Sequence, residues 1–195
     1  MENELNNLSE ITQYLNIFRG KKAVKSDNSE WFTVNDYLYD MDIVNHFNGN
    51  AILAYVITNS TDIFCFDIDL HGNYLNSEIK NLIKIDRYNY ITERFGAPSL
   101  IFQSSKSGGL HLYYKIDHKI FFEILKAEIL KKLNIQESEL NKKGIEIRPT
   151  PKNALRLPYA IRDGGAILNY DLKYLFEPTA ENAQKVIDYI LKSNV

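Results

Sequence analysis

The spacing of hydrophobic positions along this chain changes several times, and each change marks a different element. Leu5, Leu8, Ile11, Leu15 and Phe18 recur at helical spacing and predict a helix from about Glu4 to Phe18, ended by Gly20. Short extended stretches are expected around Ala23 and Val24 and again from Trp31 to Val34. Asn35 stands where it would cap a helix from Asp36 to about Phe47, stopped by Asn48-Gly49-Asn50. Ala51 to Thr58 reads as a buried strand, Asn59 and Ser60 as a turn, and Asp62 to Leu70 as a second strand, its expected hairpin partner. Ser77 to Phe95 is helical, with Ile79, Leu82, Ile83 and Ile85 early and Tyr88, Ile91 and Phe95 late; Gly96-Ala97-Pro98 terminates it. Leu100 to Gln103 and Leu110 to Ile116 are strands flanking the loop from Ser104 to Gly109. A helix from Lys119 to Leu133 carries Phe121, Ile124, Leu125, Ile129 and Leu130. A polar segment then leads to Gly144, a strand through Ile147, a turn with proline, a short strand from Leu155 to Leu157, and a last helix from about Ala180 to Leu191. The order predicts one α+β domain over residues 1–195, with a mostly antiparallel central sheet flanked by helices.

Composition narrows the function classes. With 195 residues, 45% of them hydrophobic, the chain can bury one sizeable core. No run approaches the roughly 20 apolar residues of a membrane span, and the polar, acidic start MENELNNLSE is unlike a secretory signal. A single cysteine, Cys65, excludes an internal disulfide and any multi-cysteine zinc or iron–sulfur site, which fits a cytoplasmic setting. A net charge of −2 argues against gripping long DNA by electrostatics alone. Local basic groups remain, Lys21, Lys22 and Lys25 early and Arg148, Lys152, Arg156 and Arg162 late.

Three segments carry candidate chemistry. In Phe64-Cys65-Phe66-Asp67-Ile68-Asp69-Leu70-His71, strand alternation puts Phe64, Phe66, Ile68 and Leu70 on one face. Cys65, Asp67 and Asp69 share the other, with His71 as a further candidate. The two aspartates are separated by roughly 7 Å of rise, and such a pair can flank two divalent ions about 3.5–4 Å apart. An amphipathic strand with a solvated polar face is the other reading of the same residues, although aspartate is depleted in strands. In Ser104-Ser105-Lys106-Ser107-Gly108-Gly109-Leu110-His111-Leu112-Tyr113-Tyr114, a Ser/Gly-rich loop offers amides and hydroxyls to phosphate oxygens. It runs into a strand with His111 and Tyr113 on one face. It is not a P-loop, because no Gly-Lys-Ser/Thr ending opens a helix; taken alone, the segment reads more readily as a flexible hairpin turn followed by a structural histidine. In Gly144-Ile145-Glu146-Ile147-Arg148-Pro149, Glu146 and Arg148 share a face, and Ala154-Leu155-Arg156-Leu157-Pro158-Tyr159 follows. A carboxylate there can share a metal while a guanidinium holds phosphate, or the two can form a surface ion pair.

Taken in order, Asp-x-Asp, then Ser-Gly-Gly-x-His-hydrophobic-Tyr, then a strand Glu followed by Arg-Leu-Pro resembles the archaeo-eukaryotic primase superfamily. The likeness is to its primase-polymerase branch, found in plasmid, phage and mobile-element replication proteins and beside some CRISPR loci. It covers roughly Ala51 to Tyr159. The resemblance implies an RRM-like primase-polymerase core and a DNA primase or polymerase, a template-dependent nucleotidyltransferase using Mg²⁺ or Mn²⁺, two ions per site. It makes Asp67, Asp69 and Glu146 the catalytic and metal-binding carboxylates. It gives His111, with Ser107, Lys106, Gly108 and Gly109, to the nucleotide phosphates, and Arg148 and Arg156 to triphosphate or template. The family's second motif is often Ser-x-His, whereas Gly109 stands two before His111 here, so Ser107 is the candidate hydroxyl. Implied partners are nucleoside triphosphates, a single-stranded or primed DNA template, and a helicase or helical priming domain in a longer protein, with no membrane. Trp31 is a candidate platform for template bases, although a lone tryptophan is more often core, and Tyr113 a candidate sensor of the sugar 2′-position. Two other functions fit the same residues: a metal-dependent nuclease or phosphoesterase, and a nucleotide- or nucleic-acid-binding module without turnover.

Overall fold

Two antiparallel sheets take up the extended segments, and helices cover them, in a computed structural model that describes residues 8–25, 30–70, 76–193 and 195. The smaller sheet holds β1 (Lys21–Lys25), β2 (Trp31–Tyr37), β3 (Leu53–Val56) and β8 (Leu155–Arg156) in the order β2-β1-β3-β8. The larger holds β4 (Ser60–Ile68), β5 (Leu100–Gln103), β6 (Leu110–Phe121), β7 (Ile145–Arg148), β9 (Ala166–Leu168) and β10 (Tyr174–Phe176), ordered β10-β9-β5-β6-β4-β7. The helices are α1 (Leu8–Ile17), α2 (Asp40–Phe47), α3 (Ser77–Phe95), α4 (Phe122–Leu133), α5 (Glu137–Lys142) and α6 (Ala183–Lys192). None among the described residues is long and apolar enough to cross a membrane.

Alternation along β4 builds the larger sheet's two faces. Phe64 and Phe66 pack with Phe95 of α3 and Tyr114 of β6, Phe66 to Phe95 at 5.1 Å between ring centroids and Phe64 stacked on Tyr114 at 5.3 Å. On the opposite face Cys65 and Tyr113 are fully buried. There Phe18 bridges Tyr113 (5.8 Å) to Tyr55 of β3 (5.7 Å), so the second sheet and α1 close over this end. Each fully buried aromatic of this kind contributes about 1.5–3 kcal/mol of transfer free energy. The polar face of β4 is therefore not solvated along its length; it is dry at Cys65 and opens only toward Asp67.

The α+β class and the antiparallel strands agree with the pattern, but the strands divide between two sheets. The expected hairpin of Ala51 to Thr58 with Asp62 to Leu70 is absent: β3 pairs with β1 and β8, whereas β4 pairs with β6 and β7. Adjacency in sequence lost to the burial of β3 on all four residues. The helix expected from Asp36 begins at Asp40, because β2 continues to Tyr37, paired with Lys21. Tyr39, not Asn35, caps it, its N–H donating to Asp42 at 3.0 Å. Similarly β6 runs on to Phe121, opposite Ser60, so α4 starts at Phe122 rather than Lys119. The polar segment before Gly144 contains α5, with Leu140 buried; β9 and β10 had no pattern long enough to announce them. Ser77–Phe95 is helical as expected, its start fixed by the Asn76 side chain accepting from the Ile79 N–H at 2.8 Å. Leu5 and His71 lie outside the described residues.

Candidate active site

One row of side chains crosses the larger sheet. Phe102 on β5 is opposite His111 on β6, His111 is opposite Asp67 on β4, and Asp67 is opposite Glu146 on β7. Directly opposed residues point to the same face with Cβ atoms about 4.5–5.5 Å apart. Residues 35 to 79 positions apart in the chain thus come side by side because three strands share one register. Exposure rises along the row, from 5% for the His111 side chain through 18% for Asp67 to 37% for Glu146. Asp69 stands just beyond β4, its N–H donating to the Gly144 carbonyl at 2.9 Å, which holds the chain beside the start of β7.

The middle of the row, His111 and Asp67, forms part of the floor of a cleft of about 720 Å³ between the two sheets. Asp67, Asp69 and His111 line it, together with Ser104, Ser105, Lys106, Ser107, Arg148 and Arg156 from the expected segments. Trp31 and Thr33 of β2, Lys25 of β1, Lys152 and Arg162 complete the walls. Lys25, Lys106, Arg148, Lys152, Arg156 and Arg162 outnumber the aspartates 67, 69 and 163 that share the lining. A chain with net charge −2 therefore concentrates cationic groups in this cleft, a distribution that total charge conceals.

Each carboxylate of the row has a nitrogen-bearing side chain beside it. The His111 Nε2 lies 3.2 Å from Asp67 Oδ1. Burial pushes the Asp67 carboxyl upward, but the charge and hydrogen bond of His111, with Arg148 and Arg156 beyond, outweigh it and hold it below the usual carboxylate range. Glu146 is ion-paired with Arg148, two residues on along the same face. Burial lowers the pKa of Arg156, opposed by Asp163, Asp67 and Asp69, which leaves it a cation at neutral pH. His111 Nδ1 and Arg148 Nε are buried with no hydrogen-bond partner among the described residues.

The loop from Ser104 to Gly109 is shaped by its glycines. Gly108 has φ +88°, a left-handed conformation that favours glycine. A Cβ on Gly109 would stand 2.9 Å from Ser104 Oγ and 3.1 Å from the Ile68 carbonyl, so only glycine lets the loop close onto β4. Neither glycine lines the cleft; they turn Lys106 and Ser107 toward it. The Lys106 N–H donates to the Asp163 carbonyl at 2.7 Å, and Ser105 and Ser107 hydroxyls bond each other at 2.7 Å.

No family model matches this sequence, and no curated protein matches it. Among solved structures the chain is similar to the AEP domain of the cyanophage S-2L primase-polymerase. The TM-score is 0.43 at 11% sequence identity, over 93% of this chain and 98% of that one. The functional reading rests on the residues themselves.

Their placement differs in part from expectation. Asp67, Asp69, His111, Lys106, Ser107, Arg148 and Arg156 meet at the cleft, and Glu146 lies beside Asp67 without lining it. His111 reaches the carboxylate of Asp67. Tyr113 cannot sense a sugar: it is fully buried, its hydroxyl donating to the Arg156 carbonyl at 3.1 Å. Trp31 is not core; it is 39% exposed at the cleft wall, with the Arg156 guanidinium 5.7 Å from its ring centroid. Asp163 went unnoticed in sequence. Its carboxylate accepts from Lys25 Nζ at 2.6 Å and Arg156 at 3.0 Å, tying together two strands of the smaller sheet, while its carbonyl accepts from the Lys106 N–H of the loop between β5 and β6. Only the turn signal Asp163-Gly164-Gly165 marks it.

The donor set of Asp67, Asp69 and Glu146 is the hard-oxygen type that suits Mg²⁺ or Mn²⁺, and the register of Asp67 against Glu146 fits two carboxylates sharing an ion. Among the described residues, no three His, Cys, Asp or Glu side chains are gathered as a metal would draw them. Asp67 and Glu146 turn instead onto His111 and Arg148.

Proposed function

We propose that this chain is a metal-dependent nucleotidyltransferase of the primase-polymerase type, adding nucleotides to a 3′-hydroxyl on a single-stranded or primed DNA template. The observation that carries the proposal is the row His111–Asp67–Glu146 on three adjacent strands, of which His111 and Asp67 line a cleft with cationic walls. Divalent ions, when bound, make the 3′-hydroxyl a better nucleophile and neutralise charge on the departing pyrophosphate. Asp67, Asp69 and Glu146 are the residues that would hold them. His111, through its contact with Asp67, keeps that carboxylate oriented. Lys106 and Ser107 present an ammonium and a hydroxyl to the β- and γ-phosphates, and Arg148 and Arg156 present guanidinium forks that grip phosphate oxygens.

Incubating the protein with a single-stranded template, labelled ATP or dATP and Mn²⁺, with and without a primer, is expected to yield lengthened products that EDTA abolishes. Shortened strands would make the site a nuclease. Tight nucleotide binding with no product would make the chain a binding module, a reading favoured by the hold of Arg148 on Glu146.

Trp31 is expected to stack on a template base. Trp31→Ala should weaken single-strand binding by about 1–3 kcal/mol, the usual worth of one base–aromatic stack. Extension at saturating template should be nearly unchanged. Fluorescence anisotropy with a labelled oligonucleotide checks the first, and equal binding by the variant would remove Trp31 from the template path.

A further inference from the structure

A second concave space of about 470 Å³ lies on the outer side of the loop from Ser104 to Gly109. Lys106 and Ser107 line both this space and the active-site cleft, so the loop is a shared wall. Across from it stand Lys80 and Lys84 of α3, four residues apart and hence on one helix face. Among the described residues, no carboxylate lines the space. None of the three lysines has an ion pair among the described residues. Like charges at this helical spacing repel, and partial burial already lowers the pKa of Lys84. An anion in the space relieves both costs.

The chemistry of the lining selects which anion. A nucleoside triphosphate travels with a divalent ion, and the described lining offers no anionic ligand to hold one. Lysine ammonium groups are point charges without the planar fork of arginine, which suits the singly charged, sequence-independent phosphates of a nucleic-acid backbone. We propose that this space grips backbone phosphates of the single strand as it passes around the outside of the Ser104-to-Gly109 loop from the cleft. The inference deepens the nucleotidyltransferase reading and rests on it only in taking the ligand to be a nucleic-acid strand.

The test is salt-dependent binding of fluorescein-labelled oligothymidylate to the full chain and to Lys80→Gln/Lys84→Gln, neither of which belongs to the catalytic machinery. Glutamine is a comparable helix former, and an unchanged unfolding curve confirms the fold. Losing two phosphate contacts should reduce the slope of log K against log salt by about 1.4, at roughly 0.7 per contact for a single strand. Affinity at low salt should fall about tenfold, as expected for removed phosphate contacts. Lys119→Gln/Lys131→Gln, which removes the same charge from exposed positions elsewhere, should change the slope far less. Binding of a fluorescent ATP analogue without any strand should be unaffected in the Lys80/Lys84 variant. The proposal is overturned if that variant keeps the parent slope and affinity, or if the control pair loses as much. Loss of ATP-analogue binding would also overturn it, by giving the space to nucleotide phosphates. Strand binding that depends on Lys80 and Lys84 in a protein that adds no nucleotide would sink the transfer reading and leave this one standing.

Discussion

Asp67→Asn should lower nucleotide incorporation by about 10³-fold or more, corresponding to roughly 4 kcal/mol of lost transition-state stabilisation. Asp67 is the one carboxylate of the row that faces both His111 and Glu146, so it touches every part of the proposed chemistry. Asparagine keeps the size and can still accept from His111 Nε2, now 3.2 Å away, but it no longer carries the anion that holds a divalent ion. The cost in stability should be small by comparison, about 1 kcal/mol for loss of a charge-assisted contact at a partly exposed site. Single-turnover primer extension and thermal unfolding measured on the same preparation separate the two. Incorporation at the parent rate by a folded Asp67→Asn protein would remove the catalytic assignment, and Glu146→Gln provides an independent second trial on the neighbouring strand.

Stability should fall steeply between pH 6.5 and 4, and His46 is the reason. Its ring is fully buried, with Nε2 3.1 Å from the Pro158 carbonyl and Nδ1 accepting the Leu53 N–H at 3.2 Å. Burial, with Arg156 adding to it against several backbone hydrogen bonds, pushes the pKa down to about 4. In the unfolded chain the same group titrates near its ordinary value, about 6.5. Between these values the unfolded state binds a proton that the folded state refuses, so stability is full above about 6.5 and is lost progressively toward 4. A shift of this size is worth about 3 kcal/mol. The depressed carboxyl of Asp67 acts in a different window, its contribution present above the unfolded value of 3.8 and lost only as pH falls below it. Urea unfolding of the parent and of His46→Gln at pH 7.5 and 4.5 isolates the effect. The variant should be less stable at pH 7.5, and the gap should shrink by about 3 kcal/mol at pH 4.5; a constant gap would show that His46 does not titrate as described. Because His46 joins α2 to β3 and to the segment carrying Arg156, acid should also loosen one cleft wall.

What could be determined from sequence was local. Alternation along Phe64 to Leu70 assigned Asp67 to one face of a strand and the phenylalanines to the other, because side chains in a strand point to opposite sides whatever they pair with. The same logic gave Glu146 and Arg148 a common face, and helical spacing with the Gly96-Ala97-Pro98 stop set the limits of Ser77–Phe95. The cleft's glycine loop was marked by composition alone. Pairing was the tertiary decision. Whether Glu146 stood opposite Asp67 depended on β7 joining β4 rather than β3 or a sheet edge, and no local preference encodes a partner tens of residues away. Tyr113 and Trp31 exchanged their expected surroundings for the same reason. Packing of α1 and the second sheet buried the tyrosine, and the edge position of β2 left the tryptophan at the cleft. Asp163 acquired its role only when Lys25 and Arg156 arrived from elsewhere in the chain. Sequence determines which groups are available and on which side of an element each lies; the register between strands, fixed by burying both faces of β4 at once, determines which of them meet.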